Sequence, residues 1–287
     1  TTTGAVYRDN GKGAFAADNG ETLSTGWKID VGMENFARAF TDPSLRGPLL
    51  GVILWTFTFA VASVALTFAL GLFLAITFNR EDLKGKKVYR ILMILPYAFP
   101  AFLTGLVWSG ILNPEFGWLN QTLLGGASIG WLTDPVLAKI SVLVVNLWLG
   151  FPYMFLVCTG ALQSLPSELD EAARMDGAGP WRVFRSIKLP LLLVSIAPLL
   201  ISSFAFNFNN FNVIFMLTGG GPRFADTDRD IGATDILITL VYKVAFGQGT
   251  GRDYGLASAL AIIIFIIVAT VSAISFKQTK ALEDVNS

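Results

Sequence analysis

The sequence has no histidine and a single cysteine among its 287 residues. Without histidine there is no Ser-His-Asp triad, no Cys-His dyad and no His-ligated metal. One cysteine cannot form a disulfide within the chain, and Cys158 sits mid-way along an apolar run, where it reads as a small buried residue. Charge is scarce: 15% of residues are charged, and 21 Lys and Arg balance 21 Asp and Glu. A soluble domain carries about 25%, and an even balance offers no basic face to nucleic acid. The phosphate-cradling pattern G-x-x-x-x-G-K-[ST] is also missing, so ATP is not held by that route. With no catalytic constellation, the chain is not expected to be an enzyme, nor to hold a cofactor or metal of its own.

What is present is apolar length. Five stretches, at about 49–78, 91–112, 136–162, 189–217 and 255–276, reach the roughly 20 residues that cross a bilayer as a helix. The expected fold is an all-α membrane protein of about five transmembrane helices with short interfacial helices. The charge inside these stretches is Lys139, near one end, where it can snorkel. No Asp, Glu or Arg lies in mid-span, so coupling to protons or ions through intramembrane charges is not expected.

Orientation follows from the short loops. Arg80, Lys84, Lys86, Lys87 and Arg90 crowd one loop, Arg174, Arg182, Arg185 and Lys188 the next, and Lys277 and Lys280 the tail, whereas 113–135 has no Lys or Arg. The basic loops are expected in the cytoplasm, with the C-terminus inside. Residues 1–32 then form a polar extracytoplasmic segment, ahead of a transmembrane domain at 33–287. That segment has no signal-peptide character, so further spans are expected upstream. Met33, Phe36 and Phe40 share a helix face just before the first span. The loop at 218–253 is placed outside, with a short amphipathic surface helix at 236–246.

The cytoplasmic loop 163–190 is the most patterned part of the chain. Ser167 and Asp170 approximate a capping box, Ala172 and Ala173 favour helix, and Gly177 stands where a C-terminal cap belongs. Gly179-Pro180 fits a second helix start, with Trp181, Phe184 and Ile187 on one side, and Pro190 marks entry to the fourth span. Glu171-Ala172-Ala173, then Asp176-Gly177, then Ile187-Lys188-Leu189-Pro190, in this spacing and this loop, resembles the EAA motif of the permeases of binding-protein-dependent ABC importers. The resemblance implies a type I importer transmembrane domain with the MetI-like core. It also implies that Glu171, Ala172, Ala173, Asp176 and Gly177 couple the chain to a separate ATPase dimer, which binds the ATP and Mg.

Two spans carry polar residues at helical spacing. Asn146, Leu149, Gly150 and Tyr153 fall at i, i+3, i+4 and i+7, and Ser203, Phe206, Asn207 and Asn210 repeat the pattern. Amides, a hydroxyl and aromatic rings suit a neutral polyhydroxyl ligand, whereas an anion would call for Arg or Lys. The same residues could instead join helices to one another, as polar groups in membranes do. The stretches 146–153 and 203–211, with Leu217-Thr218-Gly219-Gly220-Gly221-Pro222, are similar to the larger permease subunits of maltose/maltodextrin importers, over about Trp27 to the fifth span. That resemblance implies that these eight residues line the sugar path. It also implies a second permease subunit and a periplasmic sugar-binding protein as partners. Those permeases carry additional N-terminal spans and a large periplasmic domain, of which residues 1–26 would be the tail. An importer of another neutral solute, or a channel or scaffold without an ATPase, remains the alternative.

Overall fold

A computed structural model describes residues 6–10, 13–79, 84–166, 168–225, 227, 229–247 and 253–286. Arg80 and Ser167, named above for the basic loop and the capping box, lie outside the described residues.

The N-terminal polar segment is folded, which its composition alone did not indicate. Strands β1 (Tyr7–Asp9), β2 (Ala14–Ala17) and β3 (Thr22–Gly26) pair antiparallel in the order β1-β2-β3. The signal was Asp18-Asn19-Gly20 between two short apolar runs, a hairpin turn in which Gly20 takes φ +83°. Phe15 and Trp27 meet edge-to-face at 4.8 Å, joining β2 to the chain that leaves β3.

Helix α1 (Glu34–Thr41) leads into α2 (Pro43–Phe78), which starts where the Asp42 side chain accepts the Ser44 amide. The 36 residues of α2 make a rod about 54 Å long. It packs along α5 (Pro135–Ser164), and these two helices form the centre of the bundle. Glycine permits this close packing: a Cβ on Gly71 would lie 2.7 Å from the Met154 backbone, and one on Gly150 would lie 2.9 Å from Thr67 Cγ2. Lys139, near the start of α5, does not snorkel alone; its ammonium stands 5.1 Å from the Trp55 ring centroid as a cation–π pair.

The second expected span is not one helix. Helix α3 (Lys86–Ile94) tightens into a 3₁₀ turn at Leu95–Ala98, and α4 (Ala101–Ile111) departs at 91°. Pro96 and Pro100 cause the break, since each lacks an N–H and disfavours helical geometry at the residue before it. The described chain therefore has four helices long and apolar enough to cross a membrane, or five if this bent pair counts as one.

Helix α6 (Glu168–Met175) is followed by α7 (Pro180–Val183). The second helix of the basic loop does not stop at the membrane entry. It runs through a π turn at Phe184–Lys188 into α8 (Leu189–Phe208), and Pro190 sits in the first turn of α8, where its missing N–H costs nothing. The fourth span then breaks at Asn209 and Asn210 before α9 (Phe211–Leu217). No proline is needed there, because consecutive asparagines are poor helix formers whose side chains compete with the backbone.

Helix α10 (Leu237–Phe246) forms where the apolar stretch predicts it, but it packs into the bundle instead of lying on the surface. Leu237, Thr239, Leu240, Val244 and Ala245 are buried, against α2 and α11 (Tyr254–Asn286). Its one basic residue, Lys243, points to Asp235 and forms a 2.8 Å ion pair. Burial pushes the Asp235 carboxyl upward in pKa, against the opposing pull of Lys243, the Gly232 amide and the Thr239 hydroxyl.

Candidate functional site

The cavity lies where the two broken helices meet α5. Tyr97 and Phe99 come from the α3–α4 break, Asn210 from the α8–α9 break, and Thr67 from α2. Backbone freed by a break at membrane depth is tolerated beside such a cavity. The volume is about 500 Å³, within the roughly 300–1,000 Å³ of small-molecule sites. All eight residues singled out from the two helix faces line it: Asn146, Leu149, Gly150, Tyr153, Ser203, Phe206, Asn207 and Asn210. Among the described residues, no acidic or basic side chain lines it.

The amides are joined to one another. Asn146 donates from Nδ2 to Ser63 Oγ and to Asn207 Oδ1, both at 2.8 Å, and its Oδ1 accepts from Asn210 Nδ2 at 3.0 Å. Asn207 Nδ2 donates to the Ser203 carbonyl at 2.8 Å. This network ties α2, α5 and α8 together, so the reading that such residues join helices is part of the structure. It does not exhaust the amides. A carboxamide offers two N–H groups and two lone pairs, so Asn207 and Asn210 each retain an N–H, and Asn210 Oδ1 has no partner among the described residues. A ligand would meet a few directed polar groups on an otherwise apolar wall.

Aromatic rings complete that wall. Tyr97 and Tyr153 stack with centroids 6.5 Å apart at 22°. Phe206 is 69% exposed, so this chain leaves that side of the cavity open. Helical spacing on single spans could not reveal Thr67, Tyr97, Phe99 or the Ser63 contact, because they come from other elements. The signal for Tyr97 and Phe99 was the proline pair that brackets them, a mark of a discontinuous helix beside a site.

The second candidate region is α6 and its turn. The helix ends in two backbone bonds, Ala178 N–H to the Ala173 carbonyl at 2.9 Å and Gly177 N–H to the Arg174 carbonyl at 3.0 Å. Gly177 takes φ +75°, which any side chain would strain. Asp170 Oδ2 pairs with Lys188 Nζ at 2.6 Å, tying α6 to the π turn rather than capping its own helix. Glu171, Ala172, Asp176 and Gly177 are exposed, while Ala173 faces inward at 6% exposure. Met175, at 89%, and Trp181, at 69%, stand out beside them. Sequence reasoning did not single out Met175; its exposure on a helix with a polar outer face marks it.

The sequence profile of the family "Binding-protein-dependent transport system inner membrane component" matches residues 67–279. The maltose/maltodextrin transport system permease protein MalF of Salmonella typhimurium is 43% identical over 97% of this chain and 56% of its own length. MalF of Vibrio vulnificus is 44% identical over 91% of this chain and 50% of its own. The chain thus spans about half the length of the curated relatives it matches. Among solved structures, a bacterial ABC transporter for import of the acidic polysaccharide alginate superposes with a TM-score of 0.74 at 22% identity, covering 88% of this chain and 85% of the other. An amino acid ABC transporter superposes with a TM-score of 0.55 at 16% identity, covering 89% of this chain and all of the other. These likenesses show the fold.

Proposed function

Because the chain belongs to the family of binding-protein-dependent transport system inner membrane components, we propose that it forms half of the translocation path of an ATP-driven importer for maltose or maltodextrins. The observation that carries this reading is the cavity of about 500 Å³, uncharged among the described residues, lined by the unsaturated Asn207 and Asn210 amides together with Tyr97, Tyr153 and Phe206. Sugar hydroxyls pair with amides, and the apolar face of a pyranose packs on an aromatic ring. The 43% identity to MalF supports the maltose assignment.

A second permease subunit closes the open side at Phe206. Two ATPase subunits bind the ATP and Mg, and a periplasmic sugar-binding protein delivers the sugar. The chain lies in the inner membrane with its C-terminus and α6 on the cytoplasmic side. Glu171, Ala172, Ala173, Asp176 and Gly177 form the coupling surface. Ala173 acts from below, by packing the helix down, while the exposed Glu171 meets the ATPase. Closure of the ATPase dimer moves α6, and the spans rock as rigid bodies between inward- and outward-facing states.

A second reading, an importer of another neutral solute such as trehalose or a polyol, uses the same uncharged wall. An acidic polysaccharide does not fit it, since no Lys or Arg among the described residues lines the cavity. Uptake by the complete transporter, measured against maltose, maltotriose, trehalose, a polyol and an alginate oligosaccharide, separates these. Saturable uptake of maltose and maltotriose supports the proposal; uptake confined to any other member of the panel overturns the maltose assignment.

A further inference from the structure

At the end of α2 away from α6 stands a charged cluster that the cavity and the coupling segment leave unexplained. Asp235 is fully buried and Lys243 is 10% exposed. The other described ion pairs of the helical domain, Arg38–Asp253, Lys188–Asp170 and Arg229–Asp42, are all more exposed. A buried ion pair is seldom more stable than apolar residues of the same volume, because both charges lose their water. What it does provide is direction, and here the direction is specific. Asp235 accepts from the Gly232 amide, the Thr239 hydroxyl and Lys243, each at 2.8 Å. Its carboxylate packs so closely on Gly220 that any side chain there would collide with it.

The neighbouring Thr234 extends the cluster to the helices. Its hydroxyl donates to the Gly221 carbonyl at 2.6 Å and meets Thr218 Oγ1 at 2.7 Å, at the end of α9. Its carbonyl accepts from Trp55 Nε1 of α2 at 3.1 Å. Two residues beyond Asp235, the Leu237 amide donates to Thr56 Oγ1 of α2 at 3.0 Å.

These bonds close a ring. From Thr56, α2 runs about 10 Å to Ser63, which accepts from Asn146. Asn146 accepts from Asn210. From Asn210, α9 runs about 12 Å back to Thr218, which touches Thr234. Two helical struts are thus pinned together at both ends, by the cavity amides at one end and by the Asp235 cluster at the other. Release of the outer pin would free α9 to tilt against α2, and Asn210 stands at the other end of that helix, held by its bond to Asn146.

We propose that Asp235 and Lys243 are positioning residues for the cavity: they hold α9 against α2 and thereby hold Asn210 in its ligand-facing geometry. This rests on the sugar-path reading of the cavity, and the experiment separates the two. The probe is labelled maltotriose, bound at equilibrium to the purified, fully assembled transporter without its binding protein. The combined change Asp235→Asn with Lys243→Met removes both charges at nearly constant volume. It should raise Kd about five- to tenfold, leaving co-purified ATPase and the rate of ATP hydrolysis within twofold. Lys243→Arg, which keeps the charge, should stay within twofold of the native Kd. Asn210→Ala should raise Kd in the native background, yet add less than twofold to the combined variant, because one interaction cannot be lost twice. Independent, additive effects overturn the positioning role, and so does a native Kd in the combined variant. If Asn210→Ala alone leaves Kd unchanged, the sugar-path reading falls, and the proposal with it. Should the combined variant fail to assemble, Thr239→Val, which keeps both charges but deletes the bond to Asp235 and the acceptor of the Ile236 amide, is read the same way, with a rise of about threefold expected and no rise overturning the role.

Discussion

The coupling segment and the cavity are built on opposite plans. The segment around α6 is exposed and charged, and its fold comes from local bonds. A glycine with φ +75° and two backbone hydrogen bonds end the helix, and one ion pair, Asp170–Lys188, anchors it. Glu171, Asp176 and Met175 point away from the chain that carries them. The cavity is lined by uncharged residues from α2, the α3–α4 break, α4, α5, α8 and α9 among those described, and is open on the Phe206 side. Its amides bond across helices, Asn146 with Ser63 and Asn207 with Asn146, at sequence separations of 83 and 61. The first plan suits a surface for another protein; the second suits a small ligand. On the proposed function, energy input and cargo recognition then lie in different places, which is why substitutions should separate them.

The largest effect is expected from Glu171→Lys. Reversing the charge on the exposed face of α6 should reduce sugar uptake at least a hundredfold and lower the ATPase that co-purifies, while leaving the fold of the chain intact; normal uptake would remove Glu171 from the coupling surface. Tyr153→Ala should act on the other region alone. Loss of the ring and of its stack on Tyr97 should reduce uptake about tenfold, with ATPase association within twofold of native. Gly177→Val tests whether the turn itself matters. A β-branched side chain at positive φ costs roughly 1–2 kcal/mol, so the helix end should fray and co-purified ATPase fall about fivefold, with sugar affinity unchanged.

The smallest effect should lie at the start of α2, away from both regions. Burial raises the pKa of the Asp42 carboxyl, but bonds from Ser44 and the nearby Arg229 outweigh this and hold it below 3.8. An acid with a lowered pKa in the folded state stabilises fully above its unfolded value, and that contribution is lost as pH falls through the folded value. Asp42→Asn keeps the cap acceptor but removes the charge paired with Arg229, and should therefore cost about 0.2–1 kcal/mol at neutral pH. The gap in thermal midpoint between native and variant chains should close below about pH 3.8; a gap independent of pH would show that the charge is not responsible.

The two plans also explain what could be read from the sequence. The coupling segment is contiguous, so its pattern from Glu171 to Pro190 could be read as written, including the left-handed glycine. The faces at Asn146 and Ser203 could be read because each lies on a regular helix. The wall at Tyr97 and Phe99 is legible only from the proline pair around it, since hydropathy counts residues 91–112 as apolar whether or not two prolines turn the chain through 91°. Asn210 was assigned to the cavity by extending a helix that in fact ends at Phe208; the side chain reaches the cavity because the broken backbone still brings it to Asn146. The burial of α10 was hidden for a different reason. The amphipathic pattern of 236–246 points to a surface helix, and only the fold brings Asp235 to Lys243. The β-hairpin near the N-terminus was legible at Asn19-Gly20, where composition drew attention away from a local turn signal.

The most direct test of the separation is Asn207→Ala, with labelled maltotriose uptake and co-purified ATPase measured on the same membranes. The account predicts uptake reduced at least tenfold with ATPase association unchanged. Unchanged uptake, or loss of both together, would contradict it.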